Sequence, residues 1–209
     1  MIKIHNVEQK TEEWFELRRE HPLTASNCAA IVTAGKGLDT LCWKAVSESL
    51  SSRVVEHYSN EHIERGNELE PQAIVIYELE TSNNVKAIGF VTDDAISKLA
   101  GASPDGFVGE DGMIEVKCPD DVKYLKLLAE FKENKKITIE SGYYYQMQMQ
   151  MLITGRKWND YTVYNPNFKE SIIIQRVEPD EAIFEKIKKG LIVGEQIINK
   201  INIKLCLKK

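Results

Sequence analysis

Two carboxylates and one lysine stand close together in the middle of the sequence. Asp105 follows a Ser-Pro pair, and Glu115 and Lys117 belong to the run MIEVK at 113–117. In an extended strand successive side chains alternate, so Glu115 and Lys117 share one face while the Ile and Val beside them enter the core. A GEDG turn at 109–112 predicts a hairpin, which brings Asp105 beside Glu115 although ten positions separate them. We therefore expect the three charged groups to converge at a common polar edge.

Such a cluster has a defined chemistry. Two close carboxylates repel each other unless a proton or a cation lies between them. Oxygen ligands favour Mg²⁺ or Mn²⁺, and no His or Cys cluster here suggests zinc. Lys117 beside such an ion could orient or help deprotonate a water molecule, or stabilise charge on a phosphate, which would suit phosphodiester hydrolysis. The pattern alone supports almost equally an exposed Glu–Lys pair and an Asp-Gly turn.

Two further polar residues are candidates for the same site. Glu70 ends the segment RGNELE at 65–70, close to a buried face marked by Leu69 and Ile74. Taken alone, it is more typical of a carboxylate stabilised by the dipole at a helix start. Gln146 could bind the attacking water or a phosphate oxygen, although a satisfied polar residue on a Met-rich core helix is the more common case.

Three residues near the N-terminus are candidates for phosphate binding. Arg18 is followed by Ser26 and then by Lys36 in a turn flanked by glycines. A guanidinium fork with a hydroxyl near a helix start suits a phosphate dianion, whereas the ordinary alternative is a solvated Arg and an N-cap serine. The lysines at 132–136 and at the C-terminus are typical of solvated faces, and they could also contact a nucleic-acid backbone without sequence preference.

The composition is that of a soluble globular protein. The chain has 209 residues, of which 43% are hydrophobic and 28% charged, which excludes a disordered tail, a collagen-like fibre and a disulfide-dense miniprotein. No apolar run approaches the ~20 residues of a membrane span, and the polar N-terminus does not resemble a signal peptide, so we expect a cytoplasmic protein. A net charge of −5 argues mildly against a nucleic-acid partner unless a local basic site exists. We expect reduced, mostly buried thiols at Cys28, Cys42, Cys118 and Cys206.

Apolar spacing and capping residues predict a series of helices. Thr11, followed by two glutamates, is a helix start, and Pro22 ends that helix. Further helices are predicted from Thr24 or Ser26 to the glycines at 35–37, and over 40–51, 120–131 and 181–201, the last as one helix or two. Helical spacing at 63–79 contains Pro71, so either a helix begins there or a longer helix is kinked.

Strand patterns dominate the second half of the chain. Strands are predicted over 86–92, 107–108, 113–116, 158–164 and 171–177. A polar loop is predicted at 133–136. The alternation of Gln and Met at 143–151 fits a strand or a helix, and its length favours a helix with Gln146 and Gln150 on one face. Helices followed by a mixed sheet interspersed with helices indicate an α/β or α+β protein.

At these residues the sequence resembles the phage-type alkaline exonucleases, the lambda exonuclease or YqaJ-like recombinase family. The matching elements occur in the family's order between about residues 11 and 167: WFELR at 14–18 with LTAS at 23–26, GxxxE at 66–70, SPDG at 103–106, EVKCP at 115–119 and YxxQxQ at 143–148. Any one of these motifs is weak, but together and in order they are specific.

The resemblance implies a PD-(D/E)xK restriction-endonuclease-like core, a mixed sheet with flanking helices. It also implies Mg²⁺-dependent, processive 5′-to-3′ degradation of one strand of duplex DNA to mononucleotides, leaving a 3′ overhang. We expect Mg²⁺, with Mn²⁺ as a substitute, and two ions in each site.

The family's roles transfer to matching positions of this sequence. The resemblance implies metal ligands at Asp105, Glu115 and the Val116 carbonyl, a supporting acid at Glu70, a water-activating Lys117, a water-positioning Gln146, and a phosphate-binding pair at Arg18 and Ser26. Lys36 falls where the family can place an arginine for the 5′-phosphate of DNA. A lysine there keeps the charge but loses the bidentate fork.

The resemblance also implies partners and an organisation. Such enzymes work as homotrimeric rings around DNA ends and cooperate with a single-strand annealing protein, and a phage or prophage enzyme of this kind acts in the cytoplasm of a bacterial host. A ring lined with basic groups would reconcile a DNA substrate with the acidic net charge. We expect one exonuclease domain over 1–209, with a helical part at about 11–80, a catalytic sheet core at about 85–177 and a C-terminal helix at about 180–203.

Other functions remain open on sequence grounds. The nearest is a PD-(D/E)xK endonuclease, which would also cut closed circular DNA. A non-catalytic DNA-binding or assembly protein with a decayed nuclease site is a second, although the intact acidic and lysine positions argue against decay. A two-carboxylate sugar hydrolase, which a chelator would not inhibit, is a remote third.

Overall fold

Short strands and longer helices alternate along the chain. The computed structural model describes residues 1–51 and 61–205, with the backbone alone at 61–63. The strands are β1 (Ile2–His5), β2 (Leu23–Thr24), β3 (Val85–Lys86), β4 (Phe90–Asp93), β5 (Ala100–Gly101), β6 (Gly106–Val108), β7 (Gly112–Lys117), β8 (Trp158–Tyr164) and β9 (Ile172–Val177). The α-helices are α1 (Glu12–Glu20), α2 (Cys28–Thr33), α3 (Lys36–Leu50), α4 (Glu61–Thr81), α5 (Asp121–Asn134), α6 (Ser141–Thr154) and α7 (Glu181–Lys204). A 3₁₀ turn at Ala25–Asn27 precedes α2.

Five strands form a central mixed sheet in the order β3-β6-β7-β8-β9. β7 and β8 run parallel, and the other neighbouring strands of this sheet run antiparallel. In the β6–β7 hairpin Gly106 pairs with Ile114, which puts Asp105 at the level of Glu115. The predicted hairpin and the mixed α/β class are therefore confirmed. Two smaller ladders, β1–β4 and β2–β5, lie outside this sheet.

Both faces of β7 are covered. On one face Ile114 and Val116 pack with Ala73 and Tyr77 of α4. On the other face lie α6 and the larger core, and Glu115 is only 1% exposed there. The expectation of a polar edge for Glu115 and its neighbouring lysine is thus wrong for Glu115, because α6 covers that face of the strand.

A buried polar contact anchors α4 to the sheet. The Tyr77 hydroxyl donates to Oδ2 of Asp160 on β8 at 2.7 Å. Arg176 of β9 also binds the Asp160 carboxylate, through Nε at 2.9 Å and Nη2 at 3.0 Å. Since Asp160 is buried, these donors satisfy a charge that water does not reach. The helix that carries Glu70 is fixed to the sheet by this contact.

Capping side chains fix where several helices begin. Thr11 accepts a hydrogen bond from the Trp14 amide at 3.4 Å, which confirms the predicted start of α1. Asp120 accepts from the Lys123 amide at 2.8 Å at the start of α5, and Asp180 caps α7. Each of these side chains satisfies amide groups that have no partner inside the helix.

Several predicted boundaries are wrong. Helix α3 begins at Lys36 rather than at 40, because the Gly35 carbonyl already accepts from the Leu38 and Asp39 amides. Lys36 is therefore the first helical residue and not part of a turn. Helix α5 continues to Asn134, so the predicted loop at 133–136 is half helical.

The sequence leaves open whether Pro71 begins a helix or interrupts a longer one, and whether one or two helices end the chain. The structure decides both questions. Pro71 lies inside the continuous helix α4, as the longer-helix alternative predicts. Helix α7 is a single helix of 24 residues.

The predicted strand at 86–92 is two strands in different ladders. β3 joins the central sheet, whereas β4 pairs with β1. Gly89 lies between them in close contact with the N-terminal segment, since a Cβ there would stand 2.1 Å from the Val7 carbonyl oxygen. This approach depends on a strand, β1, that the sequence patterns did not predict.

Three of the four cysteines lie in the part of the chain that the structure describes. Cys28 and Cys42 are buried and free, Cys118 is free and partly exposed, and Cys206 lies outside the described residues. Within residues 1–51 and 61–205, no helix is long and apolar enough to cross a bilayer.

Helix α7 returns to the N-terminal helices and shares a core with them. A Cβ on Gly190 would stand 2.0 Å from the Ile31 carbonyl oxygen, so α2 and α7 touch through their backbones. Farther along α7, Gly194 lies against the side chains of Leu23 and Leu38.

Gly190→Ala should destabilise the protein by about 1–3 kcal/mol, because the new methyl group meets rigid backbone. Gly142→Ala on α6 is the control, since no atom lies within 4 Å of its Cβ position. Urea unfolding of both variants measures the difference. Equal stability of Gly190→Ala and the wild type would contradict the close packing of α7 on α2.

Candidate active site

The loop before β6 is held from two sides. The Val116 amide of β7 donates to Oδ2 of Asp105 at 2.6 Å. From the N-terminal segment, the Trp14 indole donates to the Ser103 hydroxyl at 2.8 Å, and the Gln9 amide donates to the Pro104 carbonyl at 3.0 Å. The backbone and two distant side chains thus fix the position of the Asp105 carboxylate.

The Glu115 carboxylate is enclosed by amides of α6. Its Oε1 accepts from Gln146 Nε2 at 2.7 Å and from the Lys117 ammonium. Its Oε2 accepts from Gln150 Nε2 at 2.7 Å, and Gln150 Oε1 in turn accepts from Asn159 Nδ2 at 2.9 Å. Gln146 and Gln150 are four residues apart, so one face of the helix presents both amides to the strand.

A cleft of about 640 Å³ opens beside these groups. It is lined by residues of α4, the hairpin and the segment after it, α5, α6 and β8: Gly66, Asn67, Glu70, Asp105, Val116, Lys117, Cys118, Pro119, Asp120, Lys123, Leu127, Tyr143, Tyr161 and Val163. Four of the predicted site residues therefore share this lining, while Glu115 and Gln146 stand behind Lys117. The Glu70 carboxylate faces a further cation, because Lys10 Nζ lies 3.3 Å from its Oε2.

The charges of the cleft perturb one another. Burial raises the pKa of Asp105 well above its usual range, and the Glu115 and Glu70 carboxylates raise it further, against the opposing effects of Lys117 and the Val116 amide. Burial opposes the charged form of Lys117, but the Glu115 and Asp105 carboxylates outweigh it and raise the pKa of that ammonium. Lys117 is therefore protonated at neutral pH, and the carboxylates are crowded.

The groups at this cleft that a cation could bind are mainly carboxylate and carbonyl oxygen atoms. Within the described ranges, no three His, Cys, Asp or Glu side chains come close enough to hold a metal ion by themselves. A cation here would be bound by few carboxylates together with backbone carbonyl, water or phosphate oxygens, which is the usual environment of Mg²⁺. Pro71 lacks the amide that would bond the Asn67 carbonyl within α4, and Asn67 is one of the residues that line the cleft.

Two of the three phosphate-site candidates touch each other. Arg18 Nη2 donates to the Ser26 hydroxyl at 3.0 Å. The Arg18 guanidinium also stacks on the Trp14 ring, 4.4 Å from its centroid, and Trp14 bonds Ser103 in the loop of Asp105. Lys36 is exposed at the start of α3.

Comparison with known proteins identifies the family. The model of the YqaJ-like viral recombinase domain matches residues 13–157, well over half of the chain. The chain belongs to this family. No curated protein matches it significantly.

Solved structures agree with this family assignment. LHK-Exo, an alkaline exonuclease from Laribacter hongkongensis, was crystallised in complex with dAMP; it is 32% identical, with a TM-score of 0.77, over 94% of this chain and 98% of that chain. A phage-related exonuclease from Haemophilus somnus 129PT, at 14% identity and a TM-score of 0.65 over 88% of this chain and 96% of that chain, shares the fold. The predicted family, the PD-(D/E)xK fold and the enzyme class, a deoxyribonuclease, are confirmed.

Some residues of the site escaped the sequence argument. The sequence predicts Gln150 on the same helix face as Gln146, but not its hydrogen bond to Glu115. The spacing of four residues between the two glutamines is the feature that could have indicated it. Tyr143 contributes a ring face whose centroid lies 5.0 Å from Lys117 Nζ. Lys10 comes from a segment that no motif marked.

Asp105→Asn should raise the melting temperature of the protein in EDTA at pH 7, by roughly 4 °C. The folded state raises the pKa of Asp105, so the wild type loses stability as the pH rises above the unfolded value of about 4, and the amide removes that loss. Thermal melts from pH 4 to pH 8 test this. The gain should shrink toward pH 4; a variant less stable than the wild type at pH 7 would contradict carboxylate crowding.

Proposed function

We propose that the protein is a Mg²⁺-dependent exonuclease that degrades one strand of duplex DNA from its 5′ end, releasing mononucleotides and leaving a 3′ overhang. The observation that carries the proposal is that Asp105 and Lys117 share the wall of one cleft, with Glu115 bound to Lys117 beside it, in a chain of this family. The binding of dAMP, a mononucleotide, by LHK-Exo is consistent with such products.

The proposed cofactor is Mg²⁺, with Mn²⁺ as a substitute, and two ions in each site. Asp105, Glu115 and the Val116 carbonyl would hold it, with Glu70 in support. When bound, such an ion polarises phosphate oxygens and lowers the pKa of water. The crowded carboxylates favour this occupant, because a divalent cation relieves their mutual repulsion.

The chain's own groups have defined parts in this proposal. Gln146 and Gln150 hold Glu115 in place, so its charge needs no reorganisation during the reaction. Lys117, as an ammonium on the cleft wall, orients the attacking water and stabilises charge that develops on the phosphate. Its contact with the Tyr143 ring helps to keep it there. Gln146 is the second group proposed to position the water.

The proposed DNA contacts are made by basic residues of the N-terminal helices together with Ser26. Arg18 and Ser26 form a ready pair for a phosphate near the scissile bond, with the guanidinium and the hydroxyl 3.0 Å apart. Lys36 is proposed to contact the 5′-phosphate as a point charge.

The assembly and setting are proposed from family resemblance. We propose a homotrimeric ring that engages DNA ends, cooperation with a single-strand annealing protein, and action in the cytoplasm of a bacterial host as a phage or prophage product.

A digest of linear and circular DNA tests the proposed reaction. With Mg²⁺, 5′-end-labelled linear duplex should release labelled mononucleotide first, while a covalently closed circle incubated beside it stays intact. EDTA should stop the release. Cleavage of the circle would instead indicate an endonuclease, and absence of any cleavage would indicate a DNA-binding protein with an inactive site.

Matched variants connect that digest to the cleft. Asp105→Ala should reduce cleavage at least roughly 100-fold, because the proposed ion loses a ligand. Lys157→Ala is the control, since this lysine is 71% exposed and pairs with Asp111 at the far end of β7. Normal Mg²⁺-dependent activity of Asp105→Ala would overturn the assignment.

A further inference from the structure

Arg65 of α4 belongs neither to the lining of the cleft nor to the carboxylate cluster. It precedes Gly66 and Asn67 on α4, and both of these residues line the cleft. Burial and the Glu70 carboxylate raise the pKa of Cys118, another lining residue, and the Arg65 guanidinium is close enough to that thiol to oppose the shift. The Arg65 side chain is 30% exposed, so solvent reaches part of it.

The guanidinium group of Arg65 is poorly paired. Its Nε and Nη2 are buried and have no hydrogen-bond acceptor among the described residues. The Asp121 carboxylate lies 4.0 Å from Nη2, beyond hydrogen-bonding distance. The nearest oxygen of that carboxylate, Asp121 Oδ1, already accepts hydrogen bonds from the side-chain amides of Asn165 and Asn167, each at 3.0 Å. Buried donors without an acceptor are costly and rare in native proteins, so an unpaired pair of this kind indicates a functional role.

The two unpaired atoms make a suitable fork for phosphate. Nε and Nη2 lie on one edge of the planar guanidinium, and that edge matches two oxygens of a phosphate group. Because no hydrogen bond through these atoms holds the side chain, rotation about its terminal torsions can turn this edge toward the cleft.

The acidic lining of the cleft leaves a role for a further cation at Arg65. Across the cleft, Lys123 of α5 already pairs with Glu140 at 2.6 Å. Asp120, Glu70 and Asp105 line the cleft and would repel a DNA strand. A cation on the α4 wall offsets this repulsion where the strand passes the acids.

We propose that Arg65 binds a backbone phosphate of the DNA strand that enters the cleft. The proposal rests on the proposed nuclease function and adds a residue to its substrate contacts. The alternative is a structural ion pair between Arg65 and Asp121, which would join α4 to α5.

Three variants separate these possibilities. Arg65→Gln removes the charge and the fork, Arg65→Lys keeps the charge, and Asp121→Asn removes the carboxylate while keeping an oxygen for Asn165 and Asn167. The affinity of each variant for linear duplex is measured in EDTA over a series of salt concentrations, together with its melting temperature and, in Mg²⁺, its kcat and KM.

If Arg65 binds phosphate, Arg65→Gln should bind DNA roughly 10-fold more weakly and show an increased KM. The slope of log affinity against log salt concentration should become smaller in magnitude by about 0.9. Arg65→Lys should recover part of the affinity, and Asp121→Asn should bind DNA as tightly as the wild type or more tightly. Wild-type affinity and KM in Arg65→Gln would overturn the proposal. So would an Asp121→Asn variant that loses affinity and melting temperature to the same extent as Arg65→Gln.

The same experiment distinguishes failure of the proposed function. A wild-type protein that binds and degrades linear DNA while Arg65→Gln matches it in every measurement refutes only the role of Arg65. A wild-type protein that degrades no DNA refutes the nuclease function itself.

Discussion

The Glu115 carboxylate is a negative charge that is almost completely removed from water. It is tolerated because both oxygens accept hydrogen bonds, from two amides of α6 and from the Lys117 ammonium. Losing one partner of such a charge costs far more than an exposed ion pair contributes. The position of α6 against β7, and with it the order of the larger core, is therefore tied to this one side chain.

The other parts of the cleft are brought to Glu115 by separate elements. The hairpin register sets Asp105 at its level, the Tyr77–Asp160 bond fixes the helix that carries Glu70, and Trp14 joins the loop of Asp105 to the Arg18–Ser26 pair. The Tyr77–Asp160 and Trp14–Ser103 connections are hydrogen bonds between segments far apart in sequence, whereas the hairpin is local. The acids are thus held near one another by the fold, although their charges repel.

The sequence patterns predicted what depends on local periodicity. The alternation in β7 and the turn before it were enough to place Asp105 beside Glu115, and the length of the Gln/Met run was enough to predict a helix with the two glutamines on one face. Burial of Glu115 could not be predicted, because it depends on which helix covers the strand. The division of 86–92 between two ladders likewise depends on pairing with the N-terminal strand β1, whose Ile-Lys-Ile-His alternation is only four residues long. The roles carried over from the family stay predictions for every site residue: Asp105, Glu115, the Val116 carbonyl, Lys117, Glu70, Gln146, Arg18, Ser26 and Lys36.

The most direct test of the account is to locate a divalent ion in a crystal. Crystals of the wild-type protein soaked in Mn²⁺ should show an anomalous peak within coordination distance of the Asp105 and Glu115 carboxylates. The same soak of Glu115→Gln crystals should show a weaker peak or none, since the amide keeps the shape and loses the charge. A vacant cleft in the wild type at saturating Mn²⁺, or an ion bound only elsewhere, would contradict the claim that these two acids form a metal site.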